Sequence, residues 1–331
     1  MKNEFNILHI SPNFNYVCGV SKYVHIILKG LNSFKDKYNI KLFFITNEGD
    51  SLERLSEIGI EPHILRFDKG IKNIFYIKKN LKELEKFCIT NKIHIIHSHH
   101  RYPELLSNLL KRKLDIKTIT TVHSIIDGFK SLSFKSDKII AVSKSVEENL
   151  INKYKIDPSK ILQLYNPIEL NNFNNFIDEN DRKKLGIPEG AIVFLFVGRW
   201  NKIKGTDLMV HVFSNMMKIY KNVFLLLITN INNSEKQKII KMNKNFIFIK
   251  PQENITSFYN LSDAVILPSR VDPFPYVMLE AGLYKKIFIG SKVNGIGEFI
   301  EDEIDVIEHE GALWMTCHLH FLIRFEVGID F

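Results

Sequence analysis

Residues 264–300 read AVILPSRVDPFPYVMLEAGLYKKIFIGSKVNGIGEFI. Ala264 to Leu267 is a short apolar run, stopped by Pro268, which has no N–H to continue a ladder. An acidic, proline-bearing loop follows, Asp272-Pro273-Phe274-Pro275. Tyr276 to Tyr284 reads as a helix with Glu280 inside it. Lys286 to Ile289 is a second apolar run, ended by Gly290, and Gly295 and Gly297 mark a turn beyond it. The reading is strand, loop, helix, strand.

The chemistry of this block follows from its residue types. A helix beginning near Pro275 tolerates proline in its first turn, where no N–H is needed. Its free amides and dipole, near Phe274 and Pro275, favour an anion such as a diphosphate. Glu280 lies over a turn inside the helix, where a carboxylate accepts hydrogen bonds from a diol such as a ribose. Asp272 precedes it in the loop. Two acids so spaced hold the two ends of a nucleotide sugar; the alternative is a solvated turn acid and a helix-surface acid.

Working outward, Ala191 to Val197 is wholly apolar, as a central parallel strand must be. It ends at Gly198-Arg199-Trp200, with Lys204-Gly205 close behind. Two cations after a strand end can flank a diphosphate, Arg as a planar fork and Lys as a compact charge. They can equally be two solvated loop cations. Val223–Ile228 and Phe246–Ile249 read as further strands and Ile255–Leu261 as a short helix.

The first half repeats the pattern. Phe5 to Ile10 is a buried first strand, Ser11-Pro12 ends it, and Cys18-Gly19 leads into an amphipathic helix from Ser21 to Leu31. Strand, small-residue loop and helix make an anion-accepting unit, in which Gly19 allows close backbone approach to a phosphate or simply caps a turn. Strands at Ile40–Thr46, His63–Phe67, His94–His97, Thr118–His123 and Lys138–Val142 alternate with helices at Ile71–Phe87 and Tyr102–Lys111. The class is α/β, with parallel sheets covered on both faces. Ligands in such sheets bind beyond the carboxyl ends of strands, where His97, Ser98, His99, His100 and His123 fall. A metal centre is not expected there, because no carboxylate stands at ligand spacing.

The chain has 331 residues, room for two domains. No stretch approaches the roughly 20 apolar residues of a membrane helix. Cys18, Cys88 and Cys317 form neither metal nor disulfide spacing, so a cytoplasmic location is expected. The net charge of +8 is uneven: residues 1–168 hold 27 Lys and Arg against 17 Asp and Glu, +10, and the remainder 18 against 20, −2. A basic half points to an anionic partner, a membrane surface or a lipid-phosphate acceptor, or else to a Lys-biased composition. Nucleic acid is not expected, since no nucleic-acid motif is present.

The block from Ser262 to Asp302 resembles the donor site of retaining GT-B glycosyltransferases of the family 4 type, with an acid, seven residues and then Glu inside "LPS…E-x-F-P…LLEA". Asp272 stands where that family has its first Glu, and Glu280 matches the second. Arg199 and Lys204 resemble its "G-R…K-G" phosphate pair. His123, in Thr-Thr-Val-His, resembles its strand-end histidine, which faces the donor sugar. Gly19 matches the second glycine of its Gly-Gly loop, with Cys18 at the first. Val142-Ser143, Tyr165-Asn166-Pro167-Ile168 and Gly295–Glu298 fit further family segments.

The resemblance implies two Rossmann-like domains facing a cleft: residues 1–168 on the acceptor side, 169–188 as linker, and 189–304 binding a UDP-, GDP- or ADP-sugar. It implies transfer with retention to a saccharide or lipid-linked acceptor in surface polysaccharide assembly, without metal or cofactor, at or near the inner face of the cell membrane. Arg199, Lys204, Asp272 and His123 are then the catalytic set, and Gly19, Phe274, Pro275 and Glu280 complete the donor site. Residues 305–331 read as an unpatterned aromatic tail in place of the family's last strand and helices, as in a truncated chain. That tail and the Asp272 substitution keep open a non-catalytic sugar-nucleotide binder; a GT-B epimerase is the remaining alternative.

Overall fold

The structure, a computed structural model, describes residues 4–16, 18–67, 73–169, 179–252, 254–300, 306–309 and 312–315. Two sheets account for its strands. The first contains β1 (Phe5–Ile10), β2 (Ile40–Thr46), β3 (Pro62–Ile64), β4 (Ile95–Ser98), β5 (Lys117–Val122), β6 (Lys138–Ala141) and β7 (Ile161–Gln163). All its pairings are parallel, in the order β3-β2-β1-β4-β5-β6-β7. Parallel neighbours need crossovers. The helices of this half are α1 (Gly19–Ser33), the short α2 (Lys35–Tyr38) and α3 (Glu53–Ser56), α4 (Asn73–Thr90), α5 (Arg101–Leu110) and α6 (Lys144–Asn152).

The second half begins with α7 (Glu179–Lys184). Its strands are β8 (Ile192–Val197), β9 (Val223–Ile228), β10 (Phe246–Ile249), β11 (Ala264–Leu267) and β12 (Ile287–Gly290), parallel in the order β10-β9-β8-β11-β12. Between them lie α8 (Thr206–Ile219), α9 (Asn233–Met242), α10 (Thr256–Leu261) and α11 (Tyr276–Leu283), and α12 (Asn294–Phe299) follows β12. Every residue of β9, VFLLLI, is buried, as in a strand covered on both faces. In α1 the buried Ser21, Val24, His25 and Leu28 stand one to two turns apart and turn one stripe to the sheet.

The structure adds one strand and corrects one expectation. The segment leaving the first half contributes an edge strand, β7, since Ile161 to Gln163 pair with Ile139 to Ala141. The tail is not unpatterned throughout: β13 (Val306–His309) and β14 (Ala312–Met315) form an antiparallel hairpin, and β14 pairs with β12 through Ile289 and Trp314. Residues 316–331 lie outside the described residues, as does most of the Asn-rich run from 171 to 181.

The halves meet through specific contacts. Tyr165 stacks on Phe274 at 4.6 Å, and Asn166 Nδ2 donates to the Phe274 carbonyl at 2.7 Å. The Glu298 carboxylate accepts the Lys144 and Ser145 amides, at 2.7 and 2.6 Å, so a side chain of α12 caps the start of α6. Ser143 is the local N-cap of α6, accepting from the Val146 amide. Tyr276 and Leu279 of α11 pack with Phe14, Tyr23 and Val24 of the first half.

Candidate active site

In each sheet the winding reverses once, between β1 and β4 in the first and between β8 and β11 in the second. At such a point the loops leaving two adjacent strands part and open a crevice. The segment leading to Gly19 leaves β1, and His99 and His100 follow β4. Arg199 follows β8, and Asp272 lies in the loop after β11.

Asp272 is 4% exposed, which removes the solvated-turn reading. Its Oδ2 accepts from Lys204 Nζ at 2.5 Å and from Ser269 Oγ at 3.1 Å, and its amide donates to Asn294 Oδ1 at 3.2 Å. A carboxylate this buried needs a cation and donors around it. Asn201 Oδ1 accepts the Lys204 amide at 3.0 Å and starts the turn that presents that lysine. Gly205 ends the turn at φ +70°, and a Cβ there would stand 1.9 Å from the Pro268 carbonyl oxygen. Gly295 lies as tightly against the loop, where a Cβ would meet the Pro273 carbonyl oxygen at 1.6 Å. Only glycine fits either place. Arg199, by contrast, is exposed, and it has no hydrogen-bond or ion-pair partner among the described residues.

Glu280 is also buried, 7% exposed, so it is not a helix-surface acid. One carboxylate oxygen accepts the Tyr259 hydroxyl and the other pairs with the Lys22 ammonium, which crosses from α1. Tyr259 is fully buried and stacks on Tyr284 at 4.7 Å. Burial, and after it the charge of Glu280, hold the Tyr259 phenol well above its usual range, so it stays a proton donor. Lys22 also lies over the Tyr276 ring, 5.1 Å from its centroid. Helix α11 begins at Tyr276, so Pro275 is its N-cap, in extended conformation, and not a first-turn residue. Proline offers no side-chain acceptor, and no side chain among the described residues caps this helix. Phe274 is buried, and Gly19 opens α1 with Tyr276 3.7 Å from where its Cβ would be.

His123 follows the last residue of β5. Its Nε2 is 3.4 Å from His99 Nδ1, and His99 Nε2 is 3.2 Å from His9 Nδ1. Tyr23 closes on the His123 ring edge-to-face at 4.7 Å. Burial first, and neighbouring histidines second, hold His9, His99 and His123 well below the usual imidazole range. These rings are therefore neutral at pH 7. Ligand nitrogens of His9, His97 and His99 lie within 4.8 Å of one another, a grouping that the sequence reading missed because His9 is on another strand. His97 is meanwhile held by Thr121 Oγ1 at 2.8 Å. His99, His100, Tyr102, His123, Asn13 and Asn47 are among the residues lining a cavity of about 410 Å³ in the first half. Arg101 at its rim is committed to the Asp127 and Gly128 carbonyls and Ser133.

Lys204, Asp272 and Ser269 thus form one cluster, and Glu280, Phe274 and Pro275 share α11 and its approach with Gly19 facing them. His123 sits in the first half. Sequence reasoning missed Lys22, Tyr259, Ser269 and Asn294. Lys22 and Glu280 are 258 positions apart, so no local pattern links them.

This architecture has family relatives. Residues 17–172 match the profile of Glycosyltransferase Family 4, and residues 177–312 that of Glycosyl transferases group 1. The chain belongs to these glycosyltransferases, and its fold is GT-B. It is 26% identical over 317 residues to an uncharacterized glycosyltransferase of Methanocaldococcus jannaschii, covering 89% of this chain and 81% of that protein. It is 26% identical over 263 residues to the UDP-Gal:α-D-GlcNAc-diphosphoundecaprenol α-1,3-galactosyltransferase of Escherichia coli, covering 71% and 67%. The Anabaena HepE structure in complex with UDP-glucose superposes with a TM-score of 0.73 at 14% identity, covering 91% of this chain and 84% of that one. The second family match runs to residue 312, beyond the expected boundary at 304.

Proposed function

We propose that the protein transfers a sugar from a nucleotide-diphosphate sugar to a saccharide or lipid-linked acceptor, with retention, in polysaccharide assembly. The observation that carries this is the pair of buried acids, Asp272 and Glu280, each matched to a lysine at the mouth of the second sheet's crevice. In this reading Glu280 holds the ribose diol, oriented from beneath by Tyr259. Lys204 keeps one donor on Asp272 and turns its others to the diphosphate, assisted by Arg199 and the uncapped amides of α11. Charge developing on the leaving diphosphate is then met by groups already in place. Asp272 holds sugar hydroxyls and does not attack. Its charge is engaged by Lys204 and Ser269, which makes it a poor nucleophile, and this favours displacement on one face. His123, neutral, hydrogen-bonds the sugar from the other side of the cleft.

UDP is the preferred nucleotide, on the likeness to HepE and to the galactosyltransferase named above, with GDP and ADP as the alternatives to test. The acceptor occupies the first-half cavity around His99, His100 and Tyr102. A lipid-linked acceptor brings the protein to an anionic membrane surface, which the charge of the first half favours. No helix among the described residues is long and apolar enough to cross a membrane.

Thermal unfolding with UDP, GDP, ADP and their sugars tests the donor site. Ligand at about 100 times its Kd adds roughly 2.7 kcal/mol. The stabilisation is expected with one nucleotide and lost in Glu280→Ala. No stabilisation by any of them sinks the reading.

A further inference from the structure

We propose that Lys22 is a donor-site residue of the first half, whose ammonium holds Glu280 and moves to the diphosphate when the ribose takes its place. The proposal rests on the donor reading above. Four observations point to it.

Glu280 has two oxygens and two partners, and the partners differ in kind. Tyr259 is fully buried, stacked on Tyr284, and belongs to the same half as Glu280. Lys22 comes from the other half, and its side chain is 33% exposed against 9% for Glu280. The lysine is the exchangeable partner, and the oxygen it covers is the one a diol must reach. A neutral diol supplies hydrogen bonds but no charge. A carboxylate this buried still needs a cation nearby, so Lys22 cannot leave the cleft without cost.

The place it can go is set by the backbone. Lys22 lies in the first turn of α1, just beyond Gly19, and its ammonium already lies over the ring of Tyr276, the first residue of α11. No side chain among the described residues caps the first turn of α11, so an anion seated there would lie beside the residue whose ring the ammonium already covers. A four-carbon stem with three rotatable donors permits the move. The diphosphate then receives Lys204 from one half and Lys22 from the other. Nucleotide binding would exchange one bridge between the halves for another, Lys22 to Glu280 for Lys22 to diphosphate.

The test compares affinities for a nucleoside and its diphosphate, by calorimetry, in wild type, Lys22→Met and Lys22→Arg. Methionine keeps an unbranched stem on Tyr276 and removes the charge. UDP and uridine are used first, then the GDP and ADP pairs. In Lys22→Met the diphosphate is expected to bind at least tenfold more weakly, while the nucleoside binds as well as before or better, because its diol no longer competes with an ammonium. Lys22→Arg restores the diphosphate affinity. Equal weakening of both ligands, or no change in either, overturns the exchange while leaving the donor site standing. A wild type that binds none of the nucleotides overturns both.

Discussion

Replacing Gly205 by alanine separates backbone strain from site geometry. The methyl would stand 1.9 Å from the Pro268 carbonyl oxygen, and contacts under 3.0 Å are essentially never found, so the turn and the end of β11 must part by about 1.1 Å. That turn carries Lys204, and the chain beyond Pro268 carries Asp272. The φ of +70° adds its own cost, roughly 1–2 kcal/mol for an L-residue. Gly186 is the control: it has the same φ of +70°, with nothing within 4 Å of its would-be Cβ. Gly186→Ala should therefore lose only the conformational term, a fall of a few degrees in Tm, with turnover intact. Gly205→Ala should lose that and more, and kcat/KM should fall by about 10²-fold, as a misplacement near 1 Å does. Steady-state transfer assays and thermal unfolding of the two variants read this out. If Gly205→Ala keeps kcat/KM within twofold of Gly186→Ala, the turn does not set the position of Lys204.

Glu298→Ala removes the cap that joins α12 to α6 and should cost about 0.5–2 kcal/mol, as other cap losses do; thermal unfolding that does not move would show the contact to be incidental. Burial lowers the pKa of His97 to about 4 from an ordinary 6.5. The unfolded chain binds that proton as pH falls through 6.5 and the folded chain only near 4, so stability is lost across that window, by about 2 kcal/mol at pH 5. His97→Asn should flatten the fall in Tm between pH 7 and 5, and unchanged slopes would refute the assignment. Neutralising Lys78, Lys79, Lys82, Arg112 and Lys113 together should weaken binding to anionic vesicles. Because Lys79 and Lys113 already face Glu83 and Glu85, most of the loss should come from the other three.

How much was legible can be judged residue by residue. The parallel sheets were, because a strand covered on both faces must be apolar throughout, as β8 and β9 are. Asp272 and Glu280 were legible as candidates, but their burial was not. A loop acid looks the same in sequence whether it is solvated or enclosed by Ser269, Lys204 and Asn294. Pro275 was placed one position too deep, because proline suits both the N-cap and the first turn. The edge strands β7 and β13 were missed, and with them β14, which lies between β13 and β12. Short strands carry too few residues for alternation to stand out, and their pairing is decided by the neighbour, not by the segment.

By itself the sequence determined the α/β class, the order of the strands and loops, and the residue types available beyond each strand end. Those follow from local periodicity and from hydrogen-bonding rules that act within a few residues. Only the tertiary structure decided which polar groups meet. Lys22 reaches Glu280, Glu298 caps α6, and His9 joins His99, each across most of a domain or between domains. Buried charge is stable only beside its partner, and the partner is fixed by how the two sheets face each other.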